Sequence, residues 1–327
     1  MSFEAKPVAE VGLWDVILIG SGPASLTAAI YTSRGAASTL ILAGEKWGGQ
    51  LMLTTVVDNY PGMPGIMGPE LMQKMKDHAL SFGASWIEKN VTGVDFKKRP
   101  FEVRTDTKTF LTKSVIVATG AETLWLNVPG EQKLIGRGVS SCAPCDAPFF
   151  KEKKVAVIGG GDSAMEEALV LSKYALEVTV IHRRDEFRAS AIMQEKVFAN
   201  PKIKVLWNTE VVEVVGETKL EKILLRNNKN GSTSELVVDG VFIAIGHSPS
   251  SKIFAGQLEL DEKGYIKKFS NSDSGFSMAT SVNGVFVAGD VHDYHYRQAI
   301  TAAGFGCMAA LDVLKYLDEL RELQKTN

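Results

Sequence analysis

The sequence predicts an α/β fold built from two dinucleotide-binding, Rossmann-like three-layer domains. Three observations carry that prediction. An apolar run near the start of the chain ends in a Gly-rich turn followed by a helical stretch. The pattern returns at Val155–Ala164, with Val155 standing where Val16 does. A further apolar run closing on glycine, Val115–Gly120, is echoed by Val241–Gly246. At 327 residues the chain has room for about two domains.

In the first copy, Asp15–Ile19 is short, apolar and bounded by Gly20, as a buried parallel strand reads. Gly20-Ser21-Gly22-Pro23-Ala24-Ser25 follows, then Leu26–Arg34 with helical composition and Gly35 as a stop. Gly20 permits the tight turn, and Gly22 lets a pyrophosphate approach the backbone at the helix N-terminus. Ser25 is small enough to pack helix on strand. A plain βα turn is the alternative; the strand–turn–helix context favours a nucleotide site. The next strand, Ser38–Leu42, ends without the acid that usually takes a ribose hydroxyl, and Glu45 is the candidate substitute. Gly48-Gly49-Gln50-Leu51 and Asp58-Asn59-Tyr60-Pro61-Gly62 read by themselves as turn chemistry. Leu71–Phe82 is predicted as an amphipathic helix, and short alternating strands fill 85–111. Pro129-Gly130 lies in the break taken as the first crossing between domains.

The second copy has the more informative ending. After Gly159-Gly160-Gly161-Asp162-Ser163-Ala164 comes a helix over Ser163–Tyr174, a strand at Val178–Ile181, and then His182-Arg183-Arg184-Asp185-Glu186-Phe187-Arg188. An acid at the end of this strand would take a ribose 2′-hydroxyl, whereas guanidinium groups suit a 2′-phosphate. A solvated basic turn is the plainer reading. The position, about 20 residues past the glycines, favours NADP(H) selection over NAD(H).

Between the two copies lies Ser141-Cys142-Ala143-Pro144-Cys145-Asp146. The chain has three cysteines, and Met1–Leu13 carries no apolar leader, which points to a reducing, cytoplasmic setting. There a Cys-x-x-Cys is a redox pair, a metal half-site or an inert pair. A metal needs more ligands, and the five histidines are scattered. Cys307, among small residues of a predicted helix, reads as a buried hydrophobe. A net charge of −2 gives no basic field for nucleic acid. No apolar run reaches the roughly 18 residues that span a bilayer, so no membrane role is expected.

Gly49-Gln50, the Cys142/Cys145 pair with Asp146, Gly159–Ala164, His182-Arg183-Arg184 with Arg188, and Ala288-Gly289-Asp290-Val291 with Tyr296-Arg297-Gln298-Ala299 occur in that order. Together they closely resemble the low-molecular-weight thioredoxin reductases, over residues 14–317. The resemblance implies an FAD domain over 1–119 and 247–327, interrupted by an inserted NADPH domain over 120–246, with hinges at Thr119-Gly120 and Gly246-His247. It implies a homodimer and, as partner, a thioredoxin or thioredoxin-like protein. With the motif reading it gives FAD the residues Gly20, Ser21, Gly22, Pro23, Ala24, Glu45, Gly49, Gln50, Asn59, Gly289, Asp290, Arg297, Gln298 and Ala299. NADPH receives Gly159, Gly161, Asp162, Ser163, His182, Arg183, Arg184 and Arg188, and no metal is expected.

The resemblance also implies a relay in which Cys145 faces the flavin, Cys142 attacks the substrate disulfide and Asp146 handles the proton, with the inserted domain rotating between steps. Three residues depart from the family's pattern: Pro144 inside the dithiol loop, Ala147 where a glycine is usual, and Phe305 in place of a small polar residue. These leave two other readings open, a flavin disulfide reductase serving a different thiol protein and a nucleotide-binding redox sensor.

Overall fold

A computed structural model describes residues 12–269 and 275–326. The leader reading of Met1–Leu13 therefore lies outside the described residues except for its last two. The chain divides into two compact units, Met1–Glu122 with Ser248–Asn327, and Thr123–His247.

In the first unit, Trp14–Ile19 pairs in parallel with Thr39–Leu42 on one side and Thr109–Val117 on the other. Side chains alternate across a strand, so Val16 and Leu18 face one layer while Ile17 and Ile19 face the opposite one. All four are buried, because both faces of the sheet are covered. One layer holds the helices Pro23–Arg34, Gly68–Ser81 and Ala299–Thr326. The other is filled by Phe96, Phe101, Phe254 and Val285. The sheet extends through Ser85–Ile87 at one edge and through antiparallel Phe101–Thr105 and Val91–Asp95 at the other. The end of Thr109–Val117 also pairs in parallel with the distant Val285–Val287.

The C-terminal helix differs from two expectations. By length and composition alone, Ala299–Lys325 is long and apolar enough to cross a membrane, although no uninterrupted apolar run signals it. Its row of Ala302, Ala303, Ala309, Ala310 and Val313 is packed into the core, as a core helix requires. Cys307 is half-buried rather than buried, because the inward row passes through Gly306 and Ala310 beside it. Gly306 is where this helix meets the start of Pro23–Arg34: a Cβ there would lie 2.0 Å from the Ala24 carbonyl oxygen. Gly306→Val is expected to cost roughly 3 kcal/mol of stability, read as a lowered Tm; an unchanged Tm would show the contact to be slack.

The second unit holds five parallel strands in the order Val139–Ser140, Gly240–Ile243, Lys154–Ile158, Glu177–Ile181 and Ile203–Leu206. Val155 and Val157 point into one core and Ala156 and Ile158 into another. The helix Asp162–Ser172 leaves the first strand of the repeated motif directly after its glycines. An antiparallel three-stranded sheet, Thr209–Val215, Lys222–Asn227 and Thr233–Val237, follows as an addition to this frame.

Candidate active site

The first unit brings distant segments together at the start of helix Pro23–Arg34. Gly20 has φ +116°, and a Cβ there would sit 2.2 Å from the Ala118 carbonyl oxygen, so only glycine makes this turn without strain. The Ser21 hydroxyl donates to the Ala43 carbonyl at 2.7 Å and accepts from the Gly48 N–H at 2.9 Å, bracing the turn against the next loop. Beyond Gly22 a Cβ would meet nothing, and Gly49 faces Gly22 across that space. From the far end of the sequence, Gly289 comes close enough that a Cβ on it would lie 3.0 Å from the Ala24 Cβ. Asn59 donates to the Gln298 Oε1 at 3.2 Å. Glu45 and Gln50 are exposed on the intervening loops, and the Glu45 N–H is held by Asn90.

Asp293 organises the approach to the last helix, a role that motif reading missed. Its carboxylate accepts from the backbone N–H groups of His295, Tyr296 and Arg297 at 3.0, 3.1 and 3.2 Å. This holds Arg297 at φ +49°, just before the helix begins at Ala299. An aspartate whose side chain caps the next few amides is a recurrent turn device, and Asp293 stands four residues before Arg297. Asp290 is half-buried, with its Oδ1 buried and lacking a hydrogen-bond partner. Its carboxyl is pushed up to about 7, by burial first and by the Asp293 charge second, with Arg297 opposing.

In the second unit, Gly161 precedes helix Asp162–Ser172, has open space around its Cα, and no side chain caps the helix. The Gly160 carbonyl accepts from the N–H groups of Arg188 and Ala189 at 2.7 and 3.1 Å, which folds the arginine turn back onto the glycines. Arg183, Arg184 and Arg188 are exposed, and among the described residues none is in a salt bridge. Asp185, an acid within that turn, pairs instead with Lys229 at 3.1 Å.

Two residues assigned to the nucleotide have other work. The Asp162 Oδ1 accepts from both the N–H and the hydroxyl of Ser190 at 2.8 Å, pinning the end of the turn. The His182 ring is buried against Gly160, Phe187 and Trp207 rather than presented outward. Burial, aided by the nearby arginine charges, lowers its proton affinity below that of an ordinary imidazole. Ser163, half-buried, follows in the first helical turn.

Cys142 and Cys145 form a disulfide, S–S 2.05 Å, across the single helical turn Ala143–Asp146. The Cys142 carbonyl accepts from the N–H groups of Cys145 and Asp146 at 3.2 and 3.1 Å. Pro144 fits because first-turn residues need no intrahelical N–H. Ala147 follows with ordinary right-handed helical dihedrals, so glycine is not required, and its methyl is buried in the unit's core. Burial lifts the Asp146 carboxyl above the usual range, with a hydrogen bond from Ser140 opposing. Among the described residues no cluster of His, Cys, Asp and Glu is placed to hold a metal ion.

Two nucleotide-type turns and a disulfide held in one helical turn define a dinucleotide-dependent disulfide oxidoreductase. The family described as pyridine nucleotide-disulphide oxidoreductase matches residues 14–306. A thioredoxin reductase of Streptomyces coelicolor is 51% identical over 317 residues, 95% of this chain and 96% of that one. A bifunctional thioredoxin reductase/thioredoxin of Mycobacterium leprae is 48% identical over 315 residues, 96% of this chain and 68% of that one. Among solved structures, thioredoxin reductase from Giardia duodenalis superposes with a TM-score of 0.89 at 39% identity, covering 94% of this chain and 100% of that one. The chain belongs to the pyridine nucleotide-disulphide oxidoreductases and, within them, to the thioredoxin reductases.

Proposed function

We propose that the protein is an NADPH-dependent thioredoxin-disulfide reductase whose first unit holds FAD and whose second holds NADPH. The observation that carries this reading is the Cys142–Cys145 disulfide beside the half-buried Asp146, in the same unit as an arginine-flanked nucleotide turn. The first unit fits FAD: the space at Gly22 and Gly49 admits a pyrophosphate, and the unpartnered Asp290 oxygen suits a ribityl or ribose hydroxyl. The second fits NADPH, with the open N-terminus at Gly161 for the pyrophosphate and Arg183, Arg184 and Arg188 for the 2′-phosphate. When bound, the two groups supply the two-electron chemistry that the protein's side chains lack.

The chain's own residues carry out the exchange. In the reduced dithiol, the Cys142 thiolate attacks the thioredoxin disulfide; a mixed disulfide forms and one thioredoxin sulfur leaves and takes a proton. Cys145 then gives up its proton and attacks the Cys142 sulfur. The Cys142–Cys145 bond reforms and the second thioredoxin sulfur leaves, so two electrons and two protons pass to the substrate. Asp146 is the group that holds and returns the proton. The Mycobacterium leprae relative, whose name joins both activities, supports thioredoxin as the partner class.

The reading also includes a cytoplasmic homodimer. Ile300, Met308 and Leu311 line an exposed stripe at helical spacing on the C-terminal helix. A second copy is the proposed occupant of that stripe. Leu311→Glu is expected to shift sedimentation from dimer to monomer; a dimer that persists would place the interface elsewhere. The function itself is tested by NADPH oxidation with oxidised thioredoxin as sole acceptor. Steady consumption is expected, and none with any of several thioredoxins would favour a different thiol partner or a sensor.

A further inference from the structure

We propose that Ser140 is a positioning residue of the dithiol site: its hydroxyl ties the Cys142 backbone to the Asp146 carboxylate and holds that carboxylate in place for the two sulfurs. Ser140 ends the strand Val139–Ser140 at the edge of the parallel sheet, opposite Phe242, and is buried. Its Oγ accepts from the Cys142 N–H at 3.1 Å. A hydroxyl has one proton to give, and with the amide on a lone pair, that proton goes to Asp146.

A closed loop results. The Cys142 carbonyl binds the Asp146 N–H, the Cys142 N–H binds Ser140, and Ser140 binds the Asp146 side chain. The neighbouring Ser141 hydroxyl lies 3.2 Å from that of Thr123, fixing the same stretch a second time. The redox turn is thereby fastened to the rigid sheet at the residue that also touches its acid. The single turn Ala143–Asp146 is too short to hold its own geometry.

The electrostatic consequence follows from what surrounds Asp146. Burial raises its carboxyl, and the Ser140 hydroxyl is what pulls it back. The elements packed against the turn are the helix Asp162–Ser172 and the short turn Ala147–Phe150. The former carries Asp162, Glu166 and Glu167, and Lys151 follows the latter; burial and the Ser140 hydrogen bond are the causes that set the Asp146 carboxyl. Asp162 is engaged by Ser190. Removing the Ser140 hydroxyl leaves burial unopposed, so the carboxyl moves further up.

This inference rests on the reading of Asp146 as the proton-handling group, and the experiment separates the two. The pre-reduced holoenzyme is mixed with oxidised thioredoxin, and the exchange rate is followed across pH for wild type, Ser140→Ala, Ser140→Thr and Asp146→Asn. Ser140→Ala is expected to slow exchange roughly tenfold and to move the limb belonging to Asp146 to higher pH. Ser140→Thr, which keeps the hydroxyl, restores both. If Ser140→Ala does not fold, Ser140→Cys, a weaker donor of similar size, is expected to move the limb in the same direction by less. A slower rate with an unmoved limb, or no restoration by threonine, overturns the role of Ser140. A limb that survives in Asp146→Asn overturns the reading of Asp146 itself.

Discussion

Cys145→Ser is expected to leave the bound flavin reducible by NADPH while lowering thioredoxin reduction by at least about 10³-fold. The serine hydroxyl can neither form the Cys142–Cys145 bond nor displace a mixed disulfide, so the relay stops after the first exchange. Cys142 remains able to attack, and that asymmetry gives a second readout. A single-cysteine thioredoxin activated as an aryl mixed disulfide should form a covalent adduct with Cys145→Ser and none with Cys142→Ser, seen on a non-reducing gel. An adduct with Cys142→Ser instead would reverse the assigned order of the two thiols. Full reductase activity in either variant would remove the dithiol from the reaction.

The parts of the fold that could be read from the chain are those with local signals. Trp14–Ile19 and Lys154–Ile158 are apolar on both faces and end in glycines, so their burial in parallel sheets follows from composition and period. The pairing of Val285–Val287 with Val115–Val117 carries no such signal, because parallel partners remote in sequence share no turn to mark them. In the sequence, the departures at Pro144 and Ala147 leave other readings of the dithiol's partner open. The structure shows a first-turn proline and a helical alanine, both at ease.

The site was legible only for residues that make motifs. Asp293 and Ser140 act through backbone amides, and their partners become known only once the turn is folded. His182 shows what a motif leaves unsaid. It lies beside arginines in sequence, but just past the strand Glu177–Ile181 its ring packs inward against Gly160, Phe187 and Trp207 while Arg183 and Arg184 stay in solvent. A motif names neighbours along the chain, and the fold of the turn decides which of them are packed inward and which stay exposed.

That division makes the arginines the place to test nucleotide choice. Arg183→Ala with Arg184→Ala is expected to lower kcat/KM for NADPH about 10²-fold while changing NADH by no more than about threefold. Each charge-assisted hydrogen bond to a phosphate is worth about 1.5–3 kcal/mol, and 1.4 kcal/mol is a factor of ten. Non-additivity and the remaining Arg188 keep the double variant below the summed loss. Among the described residues the two guanidinium groups make no salt bridge, and Asp185 is already paired with Lys229, so removing them exposes no buried partner there and should leave Tm nearly unchanged. Exposed charges are screened by salt, so the wild-type preference for NADPH should shrink between low and high ionic strength and the variant's should not. Equal losses with both nucleotides would mean that these arginines support the fold of the turn, and that the 2′-phosphate is recognised by other residues.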